Sequence, residues 1–161
     1  MKPGFPILLL ALALLAAPNL HAADNHEHHH HGHAGQQSSP LQLNSGKKWA
    51  TDEALRQGMS SINQAMARAH PQIRKNSFSD DQYRELAATI SQNVGYIVEN
   101  CKLEAKADAM LHLVIADLQA GADVMAGKTQ GARHEGAQQV FKSLKAYGQY
   151  FQHPGWQVDK S

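Results

Sequence analysis

SQNVGYIVENCKLEAKADAMLHLVIAD, Ser91 to Asp117, is the stretch whose reading decides the fold. Before its midpoint the apolar residues Tyr83, Leu86, Ile90, Val94, Ile97 and Cys101 recur at helical spacing. After it Ala107, Leu111, Val114, Leu118 and Met125 do the same. A single helix from Ser79 to Ala126 would hold about 48 residues and reach roughly 72 Å at 1.5 Å per residue, too long for a chain of this size. The spacing therefore predicts a turn at Asn100-Cys101-Lys102-Leu103, although that tetrapeptide contains neither glycine nor proline.

Working outward, the upstream helix has a legible start. Ser79 and Gln82 are spaced for a capping box, and Phe78 can staple onto Tyr83. The downstream helix is expected from about Glu104 to Ala126, with Gly127 near its end. A further helix precedes this pair: Thr51 can cap it, Asp52 and Glu53 suit its positive first turn, and Leu55, Met59, Ile62, Met66 and Ala69 follow before Pro71 ends it. A fourth runs from about Arg133 through Ala137, Val140, Phe141, Leu144, Tyr147 and Phe151, and stops at His153-Pro154-Gly155. No segment shows strand alternation. Four amphipathic helices with short connections imply an all-α, up-down-up-down four-helix bundle over residues 47–161.

What precedes the bundle has a different character. A basic start at Lys2, an apolar block from Phe5 to Pro18 and small residues at Ala22 and Ala23 describe a secretory signal peptide over 1–22. Cleavage after Ala22 or after Ala23 both suit it. No lipid-attachment cysteine follows, and no second apolar run of about 18 residues is expected, so the mature chain reads as soluble and periplasmic. Residues 23–46 then read as a disordered arm: a histidine tract, NHEHHHHGH at 25–33, followed by a Gln/Ser/Pro linker. Glu27 and Gly32 interrupt the tract, which argues against a purification tag.

Charge and cysteine usage narrow the function. The chain has 15 Lys plus Arg against 14 Asp plus Glu, and losing Lys2 leaves 14 against 14. A neutral balance without a run of Lys and Arg argues against nucleic acid and against an anionic membrane as partner. One cysteine cannot form an internal disulfide, and a lone thiol in an oxidising compartment calls for burial, pairing between chains or a metal. The Cys-x-x-Cys-His run of covalent haem is absent. Without a Ser-His-Asp spacing, a Gly-rich phosphate loop or paired carboxylates in apolar surroundings, an enzyme is not expected.

Metal chemistry is the strongest signal. His26, His28, His29, His30, His31 and His33 place six imidazoles within eight residues, suited to chelating copper, zinc or nickel in several registers. If the mature chain begins Asp24-Asn25-His26, its amine, two amides and one imidazole can also wrap Cu(II) in a square plane. Within the bundle, the expected topology puts Met59, Cys101, His112 and His153 at one end. Thioether, thiol and imidazole are the donors copper and zinc prefer. Asp108, four residues before His112, is placed to take its second ring N–H and fix the tautomer. His70 and His134 belong to the other end and read as surface residues. Each bundle donor has an ordinary alternative: Met59 and Cys101 continue apolar stripes, His112 flanks one, and His153 suits a helix C-terminus.

Two stretches carry a resemblance. ALRQGMSSIN (54–63) offers Met59 early in the first helix, and YGQYFQHPGW (147–156) offers His153 at the end of the fourth; with the exported, four-helix character, the region from Trp49 to Trp156 resembles the cytochrome b562 family. That resemblance implies one haem b, ligated by Met59 and His153, and electron transfer. The residues themselves favour a periplasmic metal-binding protein for sequestration, delivery or resistance, with copper ahead of zinc or nickel, and with other metal-handling proteins as possible partners. A haem b electron carrier, ligated by Met59 and His153 or His112, is the alternative, and a helical interaction module with an incidental His-rich tail is a third.

Overall fold

Between Asn100 and Ala105 the chain turns, as the length argument requires. The computed structural model describes residues 40–158, and among them four helices follow one another: α1 (Glu53–Arg74), α2 (Asp80–Asn100), α3 (Ala105–Ala126) and α4 (Arg133–Tyr150). Each packs on the next, with α1 and α4 meeting more lightly, in an all-α up-down-up-down bundle. No strand forms among the described residues. Two isolated bridges join Asn44 to Lys47 and Trp49 to Phe151.

The predicted stripes form the core. Leu55, Met59, Ile62 and Met66 of α1, Ile90 and Ile97 of α2, Leu111, Leu118 and Met125 of α3, and Leu144 and Tyr147 of α4 are fully or almost fully buried. α2 starts as its sequence dictates: Ser79 and Gln82 complete the capping box, and the Phe78 ring meets Tyr83 edge-on at 4.9 Å. Gly127 ends α3 at φ 75°, a left-handed conformation that glycine adopts without the Cβ penalty.

The turn at 100–104 has a non-local cause. Cys101 leaves the helix at φ −72°, ψ 137°, and the next amide, Lys102 N–H, donates to the Asp52 carboxylate at 2.6 Å. The other carboxylate oxygen accepts from Leu55 N–H at 2.8 Å, so Asp52, and not Thr51, caps α1. One side chain thus starts the first helix and receives the chain as it leaves the second. This replaces the glycine or proline that a local turn signal would have needed.

Three further expectations are corrected. Pro71 lies inside α1 and does not end it; its exposed position near the last turn forfeits one backbone bond, while Ile73 still packs on the core. His70 is a core residue, 5 % exposed, with its ring edge-on to Phe141 at 4.9 Å. α3 is long and apolar enough in composition to cross a membrane, contrary to the expectation of no second apolar run. It packs against both α2 and α4, and a helix buried on two sides needs that apolarity.

The chain entering the bundle is also tied down earlier than position 47. Leu41 packs on the core, and the Trp49 indole N–H donates to the Gln42 carbonyl at 2.7 Å. Trp49 N–H donates to the Tyr150 carbonyl and Gln152 N–H to the Trp49 carbonyl, each at 2.8 Å.

Candidate functional site

The end of the bundle where α1 and α3 begin and α2 and α4 finish holds a chain of polar side chains. Asp52 stands at its centre. Beside it the Cys101 thiol hydrogen-bonds the carboxylate, and Arg56 lies one turn into α1. The Arg56 guanidinium donates to the Thr51 carbonyl at 2.7 Å, and the Thr51 hydroxyl donates to the Gln152 carbonyl at 2.6 Å, stitching α1 to the end of α4.

His153 closes the other side. Its Nδ1 lies 3.0 Å from the Tyr147 hydroxyl and its Nε2 3.4 Å from the Ser60 hydroxyl. The ring is edge-on to Tyr147 and tilted against Trp156 at 4.8 Å. Trp156 in turn lies over Gly148, where a Cβ would meet the indole at 2.4 Å.

Burial and charge fix the protonation states. Burial pushes the Cys101 thiol up to about 12, helped by the charge and hydrogen bond of Asp52 and by the charge of Asp108. Burial raises the Tyr147 phenol well above its ordinary value; Arg56 pulls against this and the Asp52 charge adds to it. Burial, with Arg56 nearby, lowers His153. A phenol held neutral donates to Nδ1 of a neutral imidazole, which leaves the ring proton on Nε2 facing Ser60. For Asp52, burial alone would raise the carboxyl, but the Lys102 and Leu55 amides, the Cys101 thiol and Arg56 together bring it below its ordinary value.

A pH response follows from His153. Its folded form prefers the neutral ring and its unfolded form titrates normally, so the unfolded state binds more protons as pH falls below the mid-sixes. Stability should therefore decline as pH drops from 7 toward 5. His153→Gln should remove that part of the decline, as read from thermal midpoints at each pH. An unchanged slope would mean that the imidazole is not held neutral.

The predicted donors are distributed as follows. Met59, Cys101 and His153 do share one end, with Met59 fully buried and its neighbour Ser60 touching His153. His112 does not join them: its side chain is 62 % exposed on α3. Its Nδ1 lies 2.9 Å from the Asp108 carbonyl and 3.4 Å from the Asp108 carboxylate. The nearer partner of the ring is thus the Asp108 backbone carbonyl, where the sequence suggested its carboxylate. Among the described residues no three of His, Cys, Asp and Glu converge on a point that could hold an ion. The histidines at 26, 28–31 and 33 lie outside the described residues.

As packed, this end does not fit a metal or a haem. Sulfur ligates copper or zinc as thiolate, whereas the Cys101 thiol is hydrogen-bonded to Asp52; His153 is engaged at both nitrogens and sits beside a cation, and no third His, Cys, Asp or Glu converges with them among the described residues. The depression at His153, about 440 Å³, is open and lined by Glu53, Arg56, Gln57, Ser60, His153 and Pro154. Met59 does not line it, so the two residues that would ligate a haem do not face a common space.

Asp52, Tyr147 and Arg56 are the residues that sequence reasoning missed. Tyr147 was legible only as a core residue and Asp52 only as a first-turn acid, because their partners lie on other elements. Comparison with known proteins finds no family model, no curated relative and no solved structure that matches this chain.

Proposed function

We propose that this is an exported metal-binding protein whose ion is taken by the histidine tract, with the bundle as its folded support. The observation that carries the reading is the tract itself: six imidazoles, His26, His28 to His31 and His33, in eight residues. Imidazole nitrogen binds divalent first-row ions most tightly at Cu(II), which puts copper ahead of zinc and nickel. Many equivalent donors suit capture and buffering of an ion more than a fixed catalytic centre. The protonated state of Cys101 and the engagement of His153 move the weight of the proposal from the bundle to the arm. A signal peptide over 1–22 and a periplasmic location are part of the same reading. The resemblance to the cytochrome b562 family rests on the four-helix topology and two positions, and no specific observation favours the haem carrier.

The test is Cu(II) titration of protein purified without a metal-affinity column, followed by calorimetry and by the Cu(II) visible band. A variant with all six tract histidines replaced by serine should lose most of the tight Cu(II) capacity. Cys101→Ser should keep it. The reverse pattern would return the site to the bundle, and undiminished binding by the six-serine variant would end the proposal.

A further inference from the structure

At the opposite end of the bundle, between the end of α1 and the middle of α4, lies a cavity of about 670 Å³. That volume falls within the range of small-molecule sites, about 300–1,000 Å³. Arg74 and Lys75 line it from the end of α1, Lys142 and Lys145 from α4, and Ile73 and Phe141 give it apolar surface. No Asp or Glu lines it among the described residues, in a chain that carries nearly as many acids as bases. The linear sequence shows no Lys/Arg run; the fold assembles a basic cluster from residues about 70 positions apart.

The placement of these cations is informative. Arg74 and Lys75 have a local reason to stand at the C-terminus of α1, where the helix dipole favours positive charge. Lys142, in the body of α4, has no such reason. It stands three residues before Lys145 on one face of the helix, where like charges repel. Directing all four at one concavity concentrates positive potential there, since low-dielectric walls focus the field. The buried His70 and Phe141 rings, in edge-on contact, add an aromatic wall to the cavity.

We infer that this cavity binds a small organic anion, with a phosphate or carboxylate head held by Arg74, Lys75 and Lys142 and an apolar or aromatic body against Ile73 and Phe141. Arg74 offers the planar fork that matches either oxyanion, and the lysines supply point charges. None of these residues belongs to the histidine tract, and their assignment does not rest on the metal-binding reading.

The experiment is calorimetric titration of the full chain at pH 8 and low ionic strength with phenyl phosphate, benzoate, inorganic phosphate and benzyl alcohol. Phenyl phosphate or benzoate should bind saturably at one site per chain, at least about tenfold tighter than inorganic phosphate, and benzyl alcohol should not bind. Which of the two organic anions binds better separates a phosphate from a carboxylate head. Arg74→Gln combined with Lys142→Gln should weaken the better ligand by about tenfold or more. Lys106→Gln, an exposed cation at the far end of the bundle, should leave it unchanged. All three positions are exposed, and matching unfolding midpoints would confirm that the variants fold. Absence of saturable binding, equal binding of inorganic phosphate, or an equal loss in Lys106→Gln would each overturn the assignment.

Discussion

Gly136→Val should destabilise the protein by about 3 kcal/mol, the largest effect expected of any single substitution here. α3 and α4 approach each other backbone to backbone at Gly121 and Gly136. A Cβ on Gly136 would meet the Gly121 carbonyl oxygen at 2.5 Å, Val124 Cβ at 2.9 Å and Met125 N at 3.0 Å. A Cβ on Gly121 would meet the Gly136 carbonyl oxygen at 2.7 Å. Backbone atoms cannot swing aside as a flexible side chain can, so the helices themselves would have to separate. Alanine shows which effect wins: it gains about 1 kcal/mol of helix propensity over glycine, but the overlap costs about 1–3 kcal/mol. Gly136→Ala should therefore still destabilise. Gly95, with nothing within 4 Å of its would-be Cβ, supplies the control, and Gly95→Ala should stabilise by up to about 1 kcal/mol. Urea midpoints followed by far-UV circular dichroism give the comparison. A Gly136→Ala variant that gains stability as Gly95→Ala does would show that the helices can part freely.

Asp52→Ala should cost about 2–3 kcal/mol, combining a lost helix cap of about 1 kcal/mol with a lost charge-assisted bond to Lys102 N–H. Asp52→Asn should be milder, because asparagine is as good a cap and can still accept one of the two amide protons. The two variants differ from the native chain in a second readout. Either removes the negative charge beside Cys101, so the thiol should become more acidic and react faster with a disulfide reagent at pH 8. Unchanged reactivity in Asp52→Asn, measured under native conditions, would mean that burial and the Asp108 charge hold the proton on sulfur without Asp52. The pH sign is that of a lowered carboxyl: the Asp52 contribution is complete above the ordinary aspartate range and is lost as pH falls through the lower folded value. The stability gap between the native chain and Asp52→Ala should accordingly narrow in acid, so that acid unfolding of the variant begins at lower pH than its loss at neutral pH predicts.

Much of the fold was legible because its signals are local. The Ser79–Gln82 box, the Phe78–Tyr83 staple and Gly127 each act within a few residues, and the apolar stripes need only the helical repeat. The turn after Asn100 was inferred from length, yet its cause, a carboxylate 50 positions earlier, has no local trace. His70 was misread for a similar reason: its neighbour Pro71 suggested a helix end, whereas the helix continues and turns the imidazole onto Phe141. At the candidate site, topology placed Cys101 and His153 at one end correctly. It could not reveal that Asp52 and Tyr147 already occupy the thiol and the ring, since hydrogen-bond partners across helices leave no pattern in a single sequence. The basic cavity was invisible on the same grounds, because Arg74 and Lys142 become neighbours only when α1 and α4 fold together.

The paired amides of Trp49 and the end of α4 bear on how the chain reaches this structure. Every major helix contact joins consecutive elements, so three hairpins can form with short loops and little loss of chain entropy. The exception is the seam between first and last helix, whose backbone bonds connect residue 49 to residues 150 and 152. That closure spans about 100 residues and rewards the chain only after the hairpins exist. It gives the Trp49 and Gln152 amides the role of a clasp: they should fasten last during folding and open first on the way to unfolding, with the rest of the bundle still assembled behind them.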